Sequence, residues 1–209
     1  MIRVAPEGWP FIGAAWLVAA GLAAVAPWWV VVLWLPFAVW VVAFFRDPVR
    51  SGPRGDELII APADGLVVSV VNLDEPEFLQ QRATRVSIFM NVFDVHVNRY
   101  PAGGEVAYRD YHRGRFGHAM AEKASTENEQ STTGLFTPRG PVLIRQIAGL
   151  VARRIVTDDQ VGAQVTQGER MGLIRFGSRV DVFVPATAKV LVHDGTRTVA
   201  GVTVVARWE

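Results

Sequence analysis

The sequence predicts a mainly β protein of packed antiparallel sheets, preceded by an N-terminal apolar helical hairpin. Two observations predict this class. No charged residue occurs between Gly8 and Phe45. Beyond residue 50 the chain is a series of short valine- and isoleucine-rich runs interrupted by glycine, proline, asparagine and aspartate, as in strands joined by tight turns. We therefore expect a helical hairpin over residues 1–50 and a β-rich domain over residues 51–209.

The apolar stretch is too long for one membrane-spanning helix. As a single helix it would extend roughly 57 Å at about 1.5 Å per residue, whereas the hydrocarbon core of a bilayer is about 30 Å thick. Pro27 provides a break, because proline removes a backbone donor and restricts the residue before it. The sequence therefore predicts two helices, over residues 11–26 and 28–45, with Pro36 as a candidate kink in the second.

Positive charge flanks the hairpin on both sides. Arg3 precedes it, and Arg46, Arg50 and Arg54 follow it, which favours both ends lying on the cytoplasmic side of the cell membrane. A full span and a re-entrant insertion both fit this pattern. A buried core hairpin and a secretory signal peptide fit less well, because the apolar run is too long for either. We expect a membrane-associated hairpin with the β-rich domain on the cytoplasmic surface.

Composition excludes several classes of function. A net charge of +1 over 209 residues gives no electrostatic basis for nucleic-acid binding. The absence of cysteine excludes disulfides, thiolate nucleophiles and zinc–thiolate sites. The two lysines, Lys123 and Lys189, lie in no recognisable pyridoxal-binding loop, and the four histidines show no metal-ligand spacing. We therefore expect neither a lysine-bound pyridoxal nor a metal.

Ten runs in the β-rich region have the composition of strands. They are Leu58–Ile60, Leu66–Val71, Val86–Met90, Val92–Val97, Val142–Ile147, Leu150–Val156, Met171–Phe176, Val180–Val184, Val190–His193 and Val199–Val205. The long polar segment Arg113–Arg139 predicts a functional loop or flap, with one short helix near Gly117–Lys123.

Gly177-Ser178 lies between two of these apolar runs. A glycine carbonyl followed by a serine hydroxyl is the reactant pair for an N→O acyl shift, in which the serine attacks the peptide carbonyl before it. An ordinary Gly-Ser turn is the alternative. A hydrolase nucleophile elbow is excluded, because its Gly-x-Ser-x-Gly pattern would need glycine in place of Phe176 and Val180.

Two further motifs offer a carboxylate and a base, the other parts that acyl-shift cleavage needs. Asp64 lies in Ala61-Pro-Ala-Asp-Gly65, which alone favours an Asp-Gly turn. His96 lies in Phe93-Asp-Val-His-Val-Asn-Arg-Tyr-Pro101, where strand alternation would place it on one face with Asp94 and Asn98. Taken alone, that histidine fits a hydrogen-bonded core residue better than a catalytic one.

In their order along the chain, Pro-Ala-Asp-Gly, Asp-x-His and Phe-Gly-Ser resemble the motifs of phosphatidylserine decarboxylase proenzymes of the short prokaryotic form. The resemblance covers nearly the whole chain. It includes Phe44-Phe-Arg-Asp-Pro48, Glu127-Asn-Glu129 and the run from Gln146 to Ile155. It departs at Arg99, where longer family members carry a second histidine.

The resemblance implies that Asp64, His96 and Ser178 drive self-cleavage between Gly177 and Ser178. It implies a β chain of residues 1–177 and an α chain of residues 178–209 that stay together as a heterodimer, with any higher oligomer left open. Ser178 would become a covalent pyruvoyl cofactor that forms a Schiff base with the substrate amine. The implied reaction is decarboxylation of phosphatidylserine to phosphatidylethanolamine in phospholipid biosynthesis, with His96 as the proton donor.

Two other classes of protein fit the same residues. A membrane-anchored serine hydrolase would use Asp64, His96 and Ser178 in an intact chain, and a non-catalytic β-rich module would need none of them. Arg99 and Arg113 are candidates for binding a lipid phosphate, although solvated or structural roles fit them equally well. The sequence leaves open whether the lipid carries acyl or ether chains.

Overall fold

The computed structural model describes residues 2–114, 128–149, 155–175 and 177–209. The chain forms two compact units, Met1–Val49 and Arg50–Glu209. The first unit contains two helices, and the second is built from antiparallel strands. The predicted fold class, a mainly β protein behind an apolar helical hairpin, is confirmed.

The N-terminal unit is a helical hairpin whose base is closed by two short strands. Strand β1 (Ile2–Val4) pairs antiparallel with strand β2 (Arg46–Pro48). Between them lie helix α1 (Trp9–Val25) and helix α2 (Trp28–Phe44). The helices separate at Pro27, and their bounds agree with the predicted ones to within two residues. Proline explains the position of the break, because it removes a backbone donor and restricts the conformation of the residue before it.

The helices expose apolar side chains. Leu17, Trp28 and Leu33 are 74%, 77% and 72% exposed. By length and composition, the 20 residues Pro6–Val25 could cross a membrane, and only 17% of their apolar window is buried. Helix α2 is shorter, at 17 residues. An apolar helix with so little burial is unlike the core helix of a water-soluble domain.

The Arg50–Glu209 unit contains fourteen strands in the part of the chain that the structure describes. They are β3 (Leu58–Ile60), β4 (Gly65–Glu75), β5 (Gln81–Met90), β6 (Val97–Arg99), β7 (Gly104–His112), β8 (Gln130–Thr137), β9 (Gly140–Ile147), β10 (Ile155–Thr157), β11 (Gln164–Val165), β12 (Arg170–Ile174), β13 (Ser178–Pro185), β14 (Ala188–Val190), β15 (Arg197–Thr198) and β16 (Val204–Trp208).

An eight-stranded antiparallel sheet, in the order β11-β7-β8-β9-β13-β5-β4-β15, dominates this unit. Two three-stranded sheets accompany it, β10-β12-β6 and β14-β16-β3. Val180 of β13, Met171 of β12 and Val205 of β16 belong to one buried apolar cluster. The core therefore lies between the large sheet and the two small ones, and β13 is central, paired with β5 and β9.

The predicted strand Val92–Val97 is wrong. Two local hydrogen bonds form a turn there: the Asn91 N–H donates to the Asp94 carboxylate (2.9 Å), and the Phe93 N–H donates to the Asn91 side-chain oxygen (2.8 Å). Asparagine and aspartate side chains that bond nearby backbone compete with a sheet ladder. Strand β6 therefore begins only at Val97.

The predicted loop Arg113–Arg139 is wrong in part, because it contains strand β8. The first five residues of β8, Gln130 to Gly134, are polar or glycine although four of them are buried, so their composition hid the strand. Strand β7 also escaped prediction, because charged residues interrupt its apolar alternation. The predicted short helix near residues 117–123 lies outside the described residues.

Two predicted C-terminal strands are displaced along the chain. In place of Val190–His193, strand β14 ends at Val190, and a turn follows in which the Thr196 N–H donates to the His193 carbonyl (3.0 Å). In place of Val199–Val205, the Val202 N–H donates to the Val199 carbonyl (3.0 Å) and closes a turn. Strand β16 begins only at Val204. Valine runs alone do not distinguish a strand from the turn beside it.

Candidate active site

Gly177-Ser178 forms the entry to the central strand β13. Gly177 has a φ of +62°, in the left-handed region that glycine adopts at little cost. Ser178 is the first residue of β13 and is fully buried. Its Oγ makes no hydrogen bond to any residue in the described parts of the chain. A buried hydroxyl without a partner is costly for stability, so the position calls for a functional explanation.

The register of the sheet fixes the direction of the Ser178 side chain. Successive side chains of a strand point to opposite faces, so Ser178 shares its face with Val180 and Val182, which lie in the main core. Its partner on β5 is Met90, which is also buried in that core. The Ser178 hydroxyl therefore points between the large sheet and the small sheets.

His96 lies immediately before strand β6 and is fully buried. Its Nδ1 lies 3.0 Å from the backbone carbonyl oxygen of Asp94. A carbonyl oxygen only accepts hydrogen bonds, so Nδ1 carries the proton and donates it. In the neutral ring the lone pair is then on Nε2, which is the nitrogen able to act as a base.

Two pairs of contacts bring His96 and Ser178 to the same end of the core. Strand β12 ends at Ile174, whose N–H donates to the His96 carbonyl (3.4 Å). The chain then reaches Ser178, which pairs with Met90, the last residue of β5. From Met90 only a short turn leads back to His96. The structure therefore places these two predicted site residues at the same end of the core.

Asp64 has a different set of partners. One carboxylate oxygen accepts a hydrogen bond from the Ala200 N–H (2.7 Å), and the other accepts from the Arg50 guanidinium (2.7 Å). The Asp94 backbone thus helps to orient His96, and Asp64 holds the turn after β15. The turn residues Asn91 and Asp94 were the one sign of this arrangement in the sequence.

A buried ion pair follows the serine on the opposite face of β13. The Arg179 guanidinium donates to both oxygens of the Asp181 carboxylate (2.6 and 2.9 Å) and to Ser87 Oγ on β5 (2.9 Å). Both charged residues are buried. Two parallel bonds between these planar groups fix their geometry, and the bond to Ser87 ties this face of β13 to β5.

Sequence reasoning missed a series of buried polar side chains next to this site. Asn98 of β6 bonds Met90 of β5 and Gln146 of β9. Gln146 in turn bonds Thr157 of β10, which contacts Ser131 of β8. The available signal was an asparagine and a glutamine that each follow an apolar or charged residue within a buried strand segment.

Tyr100 is a buried hydroxyl near these strands, but it is not a base. Its hydroxyl donates to the Asp159 carboxylate (2.9 Å). Burial, and then the hydrogen bond and negative charge of Asp159, raise the pKa of Tyr100 above its ordinary value. The phenol therefore stays protonated, which leaves His96 as the buried base at this end of the core.

Comparison with known proteins identifies the family. The family model for phosphatidylserine decarboxylase matches residues 37–206. Three relatives named phosphatidylserine decarboxylase proenzyme align over nearly the whole chain. One from Symbiobacterium thermophilum is 50% identical and covers 98% of this chain and 95% of its own length. Relatives from Aromatoleum aromaticum and Azorhizobium caulinodans are 44% and 43% identical, covering 97% and 100% of this chain and 94% and 91% of their own lengths. The chain belongs to the phosphatidylserine decarboxylase family.

Membership of the phosphatidylserine decarboxylase family makes this protein an enzyme, a decarboxylase, and confirms the resemblance that the motifs indicated. The matched range, residues 37–206, spans Asp64, His96 and Ser178. The serine hydrolase and the non-catalytic module are correspondingly disfavoured. Within the described residues, no group of three or more histidine, aspartate or glutamate side chains could hold a metal ion.

The two arginines suggested for a lipid phosphate differ in this decarboxylase. Arg99 donates to the Gly168 carbonyl (3.1 Å) and so helps to hold a turn. Arg113 is exposed and lies close enough to Tyr111 for its charge to lower the pKa of that residue, against the larger raising effect of the hydrogen bond to Glu129. Of the two, Arg113 is the more accessible to an anion.

Proposed function

We propose that this chain is a precursor that cuts itself between Gly177 and Ser178 and then decarboxylates phosphatidylserine to phosphatidylethanolamine. One observation carries the proposal. The Ser178 hydroxyl is buried without a hydrogen-bond partner among the described residues, directly after a glycine in the left-handed conformation and at the same end of the core as the buried His96. These features support attack by the Ser178 hydroxyl on the carbonyl carbon of Gly177.

The first step is an N→O acyl shift. Nε2 of His96 removes the proton from Ser178 Oγ, and the oxygen attacks the carbonyl carbon of Gly177. The carbon–nitrogen bond then breaks, and the nitrogen of residue 178 receives a proton. An ester replaces the peptide bond, with no change in atom count and no external reagent.

The second step releases the two chains. Loss of the Cα proton of residue 178 breaks the ester bond at Cβ, so Gly177 leaves as the carboxylate end of residues 1–177. The remaining enamine takes up a proton as an imine, and one water replaces the nitrogen, which departs as ammonia. A pyruvoyl group then begins the chain of residues 178–209, and the sequence of steps consumes one water in all.

The surroundings of residue 178 fit such a group. The position is enclosed by the core, and the bond from Arg179 to Ser87 ties the residues that follow it to β5. When present, a pyruvoyl carbonyl captures a primary amine and accepts the electron pair left behind as carbon dioxide departs. Nε2 of His96 is the nearby atom that can hold and return a proton.

The sheets would keep the two chains together after cleavage. Strand β13 belongs to the C-terminal chain and lies between β5 and β9 of the N-terminal chain. Strands β15 and β16 pair with β4 and β3 in the same way. Cutting one peptide bond removes none of these ladders, which supports a heterodimer.

The exposed apolar surface of the N-terminal helices supports membrane association, and the arginines that flank them support a cytoplasmic orientation. A phospholipid substrate would be met at that surface. An alkaline carbonate wash of isolated membranes tests this placement, since release of the protein would contradict insertion.

Intact-mass measurement under denaturing conditions tests the whole proposal. Wild-type protein should yield residues 1–177 ending in a free carboxylate and residues 178–209 with a blocked, pyruvoyl-bearing first residue. The Ser178→Ala variant should remain one chain and lose decarboxylation. Wild-type protein that stays uncut and still decarboxylates phosphatidylserine would refute it.

A further inference from the structure

Asn98 connects the sheet that carries the base to the sheet that carries the nucleophile. It lies on β6, two residues after His96, in a three-stranded sheet. Its side-chain nitrogen donates to the sulfur of Met90 (3.6 Å), and its side-chain oxygen accepts from the Gln146 amide (2.8 Å). Met90 and Gln146 belong to the eight-stranded sheet, where Met90 is the register partner of Ser178.

The bridge continues away from the site through two hydroxyls. The Thr157 hydroxyl donates to the Gln146 side-chain oxygen (3.0 Å), and the Ser131 and Thr157 hydroxyl oxygens lie 3.1 Å apart. Thr157 has one proton and gives it to Gln146, so Ser131 is the donor to Thr157. Both the nitrogen and the oxygen of the Gln146 amide are therefore hydrogen-bonded.

The sulfur of Met90 fixes which group donates and which accepts along this series of hydrogen bonds. An asparagine can present either its oxygen or its nitrogen to a neighbour, and only the hydrogen-bond network decides which. A thioether accepts weakly and cannot donate. Asn98 must therefore present its N–H to Met90 and its oxygen to Gln146.

The side chains that form this bridge are buried, so their hydrogen bonds matter for stability. Asn98, Gln146 and Met90 are fully buried, and buried amides stabilise a core only when their bonds are satisfied. Methionine is a flexible side chain that fills gaps in several rotamers. A hydrogen bond to its sulfur restricts those rotamers, and the restricted side chain lies beside Ser178, since direct cross-strand partners have Cβ atoms about 4.5–5.5 Å apart.

We propose that Asn98 is a positioning residue that sets the spacing between His96 and Ser178 for self-cleavage, through its bonds to Met90 and Gln146. The inference rests on the self-cleavage proposed above. One end of the bridge fixes the strand that follows His96, and the other end fixes the side chain next to Ser178. An error of about 1 Å in such a spacing can cost roughly 100-fold in rate.

The first measurement is the rate at which newly made full-length chain is cut. The protein is synthesised in a cell-free system with detergent micelles, and samples are stopped in denaturant and separated by mass. Asn98→Leu should slow cleavage roughly 10- to 100-fold, and the more conservative Met90→Leu and Thr157→Val should slow it several-fold. Thr133→Val is the matched control, because Thr133 is buried on β8 and its hydroxyl bonds no described residue; it should cut at the wild-type rate.

The second measurement reports on Met90 without any cleavage. In the uncut Ser178→Ala background, ¹³C-methyl methionine spectra in micelles should show the Met90 resonance, assigned by its loss in Met90→Leu. Asn98→Leu and Thr157→Val should shift that resonance toward a rotamer average and leave Met171 unmoved. Thr133→Val should move neither.

The outcomes separate the two proposals. If wild-type protein is never cut, the self-cleavage proposal fails. If wild-type protein is cut and Asn98→Leu is cut equally fast, the inference fails. Slow cleavage with an unmoved Met90 resonance also overturns it, because Asn98 would then act by another route. Should Asn98→Leu fail to fold, Thr157→Val decides by both readouts, and Met90→Leu decides by the cleavage rate alone.

Discussion

The two units of this protein depart from an ordinary water-soluble fold in opposite directions. The Met1–Val49 unit exposes large apolar side chains such as Leu17 and Leu33. The Arg50–Glu209 unit buries polar and charged ones, among them Asn98, Gln146 and Arg179. Apolar surface is stable where the surroundings are apolar, and a buried polar group is stable where its bonds are satisfied. The difference indicates that the first unit is shaped by its surroundings and the second by the chemistry of its interior.

Replacing the buried base should have the largest effect. In His96→Ala, cleavage should slow on the order of 10³-fold, because a general base contributes about 10²- to 10⁴-fold. The measurement is the cell-free cleavage assay. His193→Ala is a matched control, since exposed His193 makes a similar bond from Nδ1 to a backbone carbonyl (2.8 Å). Equal effects of the two substitutions would show that burial does not distinguish them.

Breaking the buried ion pair should come next. In Asp181→Leu, the free energy of unfolding should fall by about 3 kcal/mol, because Arg179 keeps a buried charge without its carboxylate. The comparison is made by denaturant unfolding in the Ser178→Ala background. Arg197→Gln, which breaks an exposed pair with Asp94 (3.2 Å), should cost less than about 1 kcal/mol. A similar cost for both would contradict the importance assigned to burial.

A charge on the apolar helices should weaken membrane association. Leu17→Arg places an arginine near the middle of Pro6–Val25, where it costs about 2.5 kcal/mol in a bilayer. The variant should be released more readily by alkaline carbonate than wild type. Leu66→Arg, at a partly exposed leucine of β4, should not change release. If both variants stay equally bound, the apolar surface of the helices is not what holds the protein.

The smallest expected effect is at Asp64. In Asp64→Asn, cleavage should slow roughly tenfold, which corresponds to losing about 1.5 kcal/mol of a charged hydrogen bond to Arg50. The loss is smaller than for His96→Ala because the bonds of Asp64 go to Arg50 and Ala200. The same assay measures both variants. A loss as large as that of His96→Ala would mean that the carboxylate and the imidazole act as a unit.

The helical hairpin and the candidate site residues Ser178 and His96 could be predicted from local sequence. Charge-free apolar runs, proline breaks and short motifs each depend on neighbouring residues alone. The bounds of the N-terminal helices were therefore predicted closely, and strands β3, β5 and β9 overlap predicted runs. Strand β8 and the turn before His96 were not predicted, because small polar residues form buried strands or turns according to what packs on them.

By itself the sequence determined the class of fold, the apolar helices, the family motifs and the Gly177-Ser178 pair. Only the tertiary structure decided that the Asp94 backbone orients His96, that Asp64 bonds Arg50 and Ala200, and which nitrogen of His96 holds the lone pair. It also decided that Asn98 reaches both Met90 and Gln146. The physical reason is that motifs record which groups are present within a few residues, whereas hydrogen bonds between strands distant in sequence depend on register and packing.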